Sequence, residues 1–236
     1  MKDIKISLLS TEKSKILGHI INKLVEYEIN IHSIIYDAKI PGADHLQRWE
    51  EKTKGKIPLI PFEQFEKLYI PTYLFKNHSS TVTENFIKDQ KIDLLVNAGT
   101  PRILKSNLLK APSIGIINCH PGILPDFRGC TCVEWAIYLD QPIGNTVHLM
   151  TDKIDEGPII LKETVNFSKS DKYSDVRIKV YEHGFDLFAR AIRIILDGNI
   201  IDYSYEKGGN YYKVIDENKM KNVIDKIELG QYKYQF

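Results

Sequence analysis

Hydrophobic positions along the chain follow two alternating rhythms. The apolar run IKISLL (4–9) reads as a buried strand, and STEKSKILGHIINKLVEYEI after it sets Ile16, Leu17, Ile20, Ile21, Leu24 and Val25 on one helical face. Ser10 or Thr11 supplies a start signal for that helix. NIHSIIYD (30–37) then reads as the second strand of a βαβ unit, while residues 38–72 predict an irregular excursion around a short helix. Further on, Thr81 and Glu84 have capping-box spacing ahead of a helix, and KIDLLVNAG (91–99) and SIGIINCH (113–120) are near-continuous apolar strands. TCVEWAIYL predicts a short helix, NTVHLMT (145–151) a strand with alternating faces, and GPIILKETVNF (157–167) another strand. A long helix is expected from Tyr173 to Leu196, with Ser170 or Asp171 near its cap and Gly198 past its end. Beyond Ile200, IDYSYE and GNYYKVI predict short Tyr-rich strands before a polar helical piece.

This order predicts an α/β fold, a Rossmann-like open and mostly parallel sheet flanked by helices. A catalytic domain is expected over 1–198, and a short Tyr-rich β-hairpin and helix appendage over 199–236 for substrate contact or dimerisation.

Size and charge narrow the class. With 236 residues, 43% of them hydrophobic, the chain can bury a core without staples, and a formal net charge of +1 announces neither a nucleic-acid nor a membrane partner. Cys119, Cys130 and Cys132 are odd in number and crowded, which argues for a reducing compartment. The N-terminus breaks into charge too early for a signal peptide, so a cytoplasmic location is expected.

The candidate chemistry gathers in INCHPGILPDFRGC, at the end of a predicted strand. Asn118 and His120 lie two apart, so both side chains share a face. A carboxamide that donates and an imidazole that moves a proton suit acyl transfer; capping or packing is the plainer alternative for an isolated pair. Asp152, Asp155 and Glu156 in DKIDEGP offer a carboxylate to orient the imidazole, and Arg128 suits an anion or a carboxylate. No metal is expected, because Cys119 and His120 face opposite ways on a strand and Cys-x-Cys is not a usual zinc spacing. The first strand-to-helix turn has neither G-x-G-x-x-G nor a Walker lysine, and His148 and His183 read as structural or exposed.

NCHPGILPDFRG, WAI and GNTVHLMTDKIDEGPII together resemble the catalytic domain of the folate-dependent formyltransferases, most densely from Ile92 to Glu163. The resemblance implies that Asn118, His120 and Asp155 form the catalytic trio and that the formyl donor is 10-formyltetrahydrofolate. It further implies a donor pocket formed by Val96, Asn97, Ala98 and Gly99 and by Thr151, Asp152, Lys153 and Ile154, with Arg128 at its mouth. Gly122 and Ile123 depart from the family's frequent Ser and Leu, and Cys130 and Cys132 receive no role.

Within that family, STEKSKIL is unlike the phosphate loop of the glycinamide ribonucleotide enzymes, and the short, charge-balanced tail is unlike the basic C-terminal domain of the methionyl-tRNA enzymes. The resemblance therefore favours the sugar-nucleotide N-formyltransferases, acting on a nucleotide-linked aminodeoxysugar such as a dTDP-4-amino-4,6-dideoxyhexose, as a homodimer, in surface-glycan synthesis. Candidate acceptor contacts are Thr100, Tyr211 and Tyr212, the tyrosines for base stacking or mere packing. Lys76, Asn77, His78 and Ser79 are candidates too, for a pyrophosphate or as a helix cap. A formyltetrahydrofolate hydrolase and a non-enzymatic nucleotide-binding module remain the alternatives from other classes.

Overall fold

The computed structural model describes residues 4–40, 42–198 and 208–236. Its main sheet has seven strands: β1 (Ile6–Ser10), β2 (Ser33–Asp37), β3 (Thr72–Phe75), β4 (Leu94–Asn97), β5 (Gly115–His120), β7 (Gly144–Leu149) and β8 (Ile159–Thr164). Their order is β3-β2-β1-β4-β5-β7-β8, with the first five parallel and the last two antiparallel. The chain winds outward from β1 to β3, then returns to lay β4 on the other side of β1. In such sheets the crevice at the carboxyl ends of the strands, where the winding reverses, receives ligands.

Helices α1 (Leu17–Glu26) and α6 (Tyr173–Leu196) cover one face; α3 (Thr81–Asp89) and α4 (Ser106–Leu109) cover the other. The apolar stripe of α1 drives its placement: Leu17, Ile20, Ile21 and Leu24 are buried, each contributing about 1.5–3 kcal/mol. Val25, expected on the same face, points to solvent instead. Nor do Ser10 and Thr11 cap this helix, which begins at Leu17 behind Ile16 with no side-chain cap. Their hydroxyls bond the Ala98 and Lys39 carbonyls, so the residues after β1 stitch neighbouring strand ends together. At α3 the cap is Ser80, which accepts from Thr83 N; Glu84 turns to Lys88 and Asn107, so the Thr81–Glu84 box does not form.

The excursion over 38–72 contains α2 (Ala43–Thr53) and a 3₁₀ turn (Phe62–Leu68). Strand β7 is buried along its whole length rather than alternating: Val147 and Leu149 join the core, while Thr146 and His148 are enclosed by the loops of the site.

A second small sheet pairs β6 (Phe127–Gly129) in parallel with β9 (Asn210–Tyr212). The tail strand thus joins the loop after β5; the expected partner strand of the hairpin, at 201–206, lies outside the described residues. Helices α5 (Cys132–Tyr138) and α7 (Glu217–Glu228) pack with Phe127, Tyr173, Val176 and Tyr232 into a second apolar core. Gly129 makes the β6–β9 contact possible: its φ is +97°, and a Cβ there would sit 2.4 Å from the Tyr212 carbonyl oxygen. Among the described residues no helix is long and apolar enough to cross a membrane.

Candidate active site

Strand β5 ends with Asn118 and His120 on adjoining rungs against β7, where Asn118 pairs with His148 and His120 with Thr146. The turn after β7 and before β8 brings Asp155 to the same place. Its Oδ1 is 3.7 Å from His148 Nε2 and its Oδ2 is 3.5 Å from His120 Nδ1. Gly129 N donates to Asp155 Oδ2 at 2.8 Å, so β6 fixes the carboxylate. Asp155 itself has φ of +54°, a conformation that costs a non-glycine residue about 1–3 kcal/mol and tends to occur at functional sites. Asp152, by contrast, turns away to accept from Ser106 Oγ.

A hydrogen-bond relay sets the direction of the Asn118 amide. Asn97 Oδ1 accepts from Gly99 N and Thr100 N, which commits Asn97 Nδ2 to donate to Asn118 Oδ1 at 2.9 Å. Asn118 Nδ2 then faces His148 Nε2 at 3.4 Å, and His148 Nδ1 donates to the Leu149 carbonyl. Burial, reinforced by His120 nearby, pushes the pKa of His148 below its ordinary value despite the opposing pull of Asp155. A neutral ring has the lone pair on Nε2 that this relay needs. One Nδ2 hydrogen of Asn118 remains to donate to a substrate oxygen.

His148, expected to be structural or exposed, is therefore part of the site. A lone histidine on an apolar strand carries no signal of its own; only the pairing of His148 with Asn118 across two strands reveals it. His183 bonds Asn145 and Glu163 and stays outside the cluster. Replacing His148 with Ala is expected to free the Asn118 amide and lower kcat by about 100-fold, while Gln, which keeps an acceptor, retains more activity. Steady-state kinetics on both variants, with KM little changed, check this.

His120 is 4% exposed, and its Nε2 lies 2.7 Å from the Phe127 carbonyl oxygen. Its ring is thus held from both sides, by Phe127 and Asp155, rather than pointing freely at the spot Asn118 faces. Gly122 permits this position, since a Cβ there would lie 2.7 Å from His120 Nε2 and 2.8 Å from the Phe127 oxygen. Gly122→Ala must move the ring or the backbone, and we expect a destabilisation of about 1–3 kcal/mol in denaturant titration, with loss of activity.

The remaining expected contacts divide. Asn97, Gly99 and Thr100 line a cavity of about 150 Å³ beside Asn118. Val96 and Ala98 lie within the sheet rather than on that cavity: Val96 is fully buried, and the Ala98 N–H and C=O are spent on Leu9, Ser10 and Ser14. Thr151, Asp152, Lys153 and Ile154 form an exposed turn next to Asp155. Arg128 finds its carboxylate in Glu156 and also donates to the Gly209 carbonyl, so it braces the Asp155 turn against the tail rather than presenting its charge outward.

His78 cannot touch substrate. It is fully buried, with its ring on the Ile35 carbonyl and its N–H donated to Asp37, whose carboxylate also takes Arg102. Asn77 and Ser79 accept from backbone N–H groups at Ser79 and Lys105, which is capping work, and Lys76 is exposed. The Tyr212 ring is stacked on Phe127 at 5.2 Å and against Trp135 at 5.2 Å, so it packs; Tyr211 is 52% exposed.

The family profile described as formyl transferase matches residues 4–192. The chain belongs to the formyl transferase family. A methionyl-tRNA formyltransferase from Clostridium beijerinckii is 32% identical over 136 residues, covering 56% of this chain and 43% of that protein. The chain thus aligns with less than half the length of that relative. Among solved structures, a sugar N-formyltransferase from Shewanella superposes with a TM-score of 0.62 at 22% identity, over 90% of this chain and 78% of the other. Glycinamide ribonucleotide transformylase 1 from Symbiobacterium toebii gives 0.63 at 22% identity, over 90% and 94%. The two superpositions establish the shared fold.

Proposed function

We propose that the chain transfers a formyl group from 10-formyltetrahydrofolate to the primary amine of a nucleotide-linked aminodeoxysugar. The observation that carries the acyl-transfer reading is the convergence of Asn118, His120 and Asp155, from separate segments, at the carboxyl edge of the sheet.

The residues beside this cluster fit the donor. Ser106 Oγ bonds Asp152, bringing the loops after β4 and β7 together, with Ile103 and Ile154 left exposed. A mixed polar and apolar surface of this kind suits a fused heterocycle. When bound, 10-formyltetrahydrofolate supplies an electrophilic formyl carbon and a nitrogen leaving group. Asn118 Nδ2 donates to the oxygen on which negative charge develops. Neutral His120 donates its Nε2 hydrogen to the Phe127 carbonyl, so Nδ1 takes up the proton that the attacking amine gives up and passes it to the departing folate nitrogen, while the Asp155 carboxylate beside Nδ1 orients the imidazole and balances its positive charge.

Two features support the acceptor class. The hydroxyls of Ser10, Thr11 and Ser14 are consumed by backbone carbonyls, so the residues after β1 do not offer a hydroxyl cradle for a terminal phosphate. Among the described residues, no Asp, Glu, Lys or Arg lines the cavity beside Asn118. The test is to give the purified protein 10-formyltetrahydrofolate with, in turn, dTDP- and UDP-linked amino sugars, glycinamide ribonucleotide and methionyl-tRNA, and to follow the mass of each acceptor. Formylation of a sugar nucleotide is expected. Formyl transfer to methionyl-tRNA or glycinamide ribonucleotide alone overturns the acceptor, and donor breakdown that needs no acceptor identifies a hydrolase.

A further inference from the structure

We propose that the tail strand β9 is part of the catalytic centre, with Tyr212 as a positioning residue that holds His120 and Asp155 in place through β6. The proposal rests on the acyl-transfer reading of those two side chains, and it concerns what keeps them in the geometry that reading needs. Strand β9 lies beyond residues 4–192, the stretch matched by the family profile, so the device belongs to this chain's own tail.

Strand β6 is a ribbon with both edges occupied. Toward the tail, Asn210 N donates to the Asp126 carbonyl and Cys130 N to the Tyr212 carbonyl, with Arg128 paired to Tyr211 between them. Backbone groups alternate in direction along a strand, so those of Phe127 and Gly129 turn the other way. There the Phe127 carbonyl takes the Nε2 hydrogen of His120 at 2.7 Å, and Gly129 N donates to Asp155 Oδ2 at 2.8 Å. Each of these two groups shares a planar peptide with Arg128: the Phe127 carbonyl with the Arg128 N–H, and the Gly129 N–H with the Arg128 carbonyl. Pairing with the tail therefore fixes two peptide planes, and those planes aim the contacts to His120 and Asp155. A carbonyl can only accept, so its fixed position keeps the hydrogen on Nε2 of the neutral ring and leaves the Nδ1 lone pair to take the amine proton.

A three-residue strand needs such a partner, and among the described residues β6 pairs in a sheet with β9 alone. The Tyr212 ring presses the two strands together. It is stacked on Phe127 with centroids 5.2 Å apart and planes 14° from parallel, and it also meets Trp135. Trp135 Nε1 donates to the Lys213 carbonyl and Ile215 N to Thr131 Oγ1, which ties the following tail residues to the start of α5. Arg128 Nη2 donates to the Gly209 carbonyl and closes the other end of the pairing. The catalytic unit thus extends past residue 198 and includes Tyr212.

The experiment compares wild type with Tyr212→Phe, Tyr212→Ala and Asn210→Pro, reading kcat, both KM values, thermal unfolding, and the His120 tautomer from nitrogen NMR of isotopically labelled histidine. His120→Ala identifies the resonances. Tyr212→Phe keeps the stacked ring and is expected to retain the wild-type kcat. Tyr212→Ala removes the ring, and Asn210→Pro deletes a ladder hydrogen bond at an exposed residue. Both are expected to lower kcat about 10- to 100-fold with KM for the folate little changed, and to turn His120 from a single Nε2–H form into a mixture of tautomers. Folded variants with wild-type kcat, or with reduced kcat and an unaltered His120 tautomer, overturn the proposal. If Tyr212→Ala fails to fold, Asn210→Pro decides by the same criteria. If wild type transfers no formyl group to any amine, the acyl-transfer reading fails instead. The tautomer in Asn210→Pro then decides the positioning role: a mixture sustains it, and an unaltered ring overturns it.

Discussion

Asp155→Asn is expected to lower kcat by about 1,000- to 10,000-fold with the fold and the KM values little altered. The carboxylate lies between two imidazoles, 3.5 Å from His120 Nδ1 and 3.7 Å from His148 Nε2. An asparagine keeps the size of the side chain and can still accept from Gly129 N. Its NH₂ group, however, takes the place of Oδ1 and donates to the His148 Nε2 lone pair in competition with Asn118, and the charge that balances an imidazolium at His120 is gone. Circular dichroism matching wild type, together with collapsed kcat, is the expected pair of observations. A loss below tenfold would mean that the carboxylate is a structural support for β6 rather than a partner in proton transfer.

The largest expected effect on stability lies away from this cluster, at Glu134 on α5. Its side chain is fully buried, and Oε1 meets Tyr173 at 2.6 Å, Lys52 at 3.0 Å and Arg177 at 3.6 Å. Burial by itself would raise the Glu134 pKa, but the charges of Arg177 and Lys52 outweigh it and hold the carboxyl at about 2. Glu134→Ala strands the buried Arg177 guanidinium, which is expected to cost about 3–5 kcal/mol. For a chain of this size that corresponds to a fall in Tm of roughly 6–20 °C. Replacing Arg177 with Met in the same variant should recover much of the loss, because the penalty belongs to the stranded charge.

The pH dependence of the same group follows from the direction of its shift. The folded-state pKa lies below the ordinary value of 4.5, so the stabilisation is fully present above that value and is lost as the pH falls toward about 2. Urea unfolding at a series of pH values across that window should show wild type losing stability more steeply than Glu134→Gln. Parallel curves would mean that the carboxyl gains no more from its partners in the fold than in the unfolded chain.

What the sequence revealed, and what it concealed, separates by range. Helix α6 was legible from Tyr173 to Leu196 because a long amphipathic repeat and a following Gly198 are local signals. The parallel sheet was legible for the same reason, since strands such as β4 and β5 are apolar throughout. Strands β6 and β9 are three residues each and pair across about eighty positions, which leaves no periodicity to read. The site divides likewise. Asn118 and His120 share one strand face, but the role of His148 depends on an antiparallel register, and His78 looked like a ligand contact until its pairing with Asp37 and Ile35 removed it to the interior. Helix starts failed where a hydroxyl had a better partner than the helix, as with Ser10 on the Ala98 carbonyl.

The most direct measurement follows the formyl carbon itself. Wild type and His120→Ala receive 10-formyltetrahydrofolate with an isotopically labelled formyl group and a nucleotide-linked aminodeoxysugar, and the sugar is recovered and its amide examined for label. The site described above predicts labelled formamide on the sugar with wild type and at least a 100-fold slower appearance with the variant. Label that remains on the folate with wild type, or moves to the sugar equally fast with His120→Ala, would contradict the assignment of formyl transfer to Asn118, His120 and Asp155.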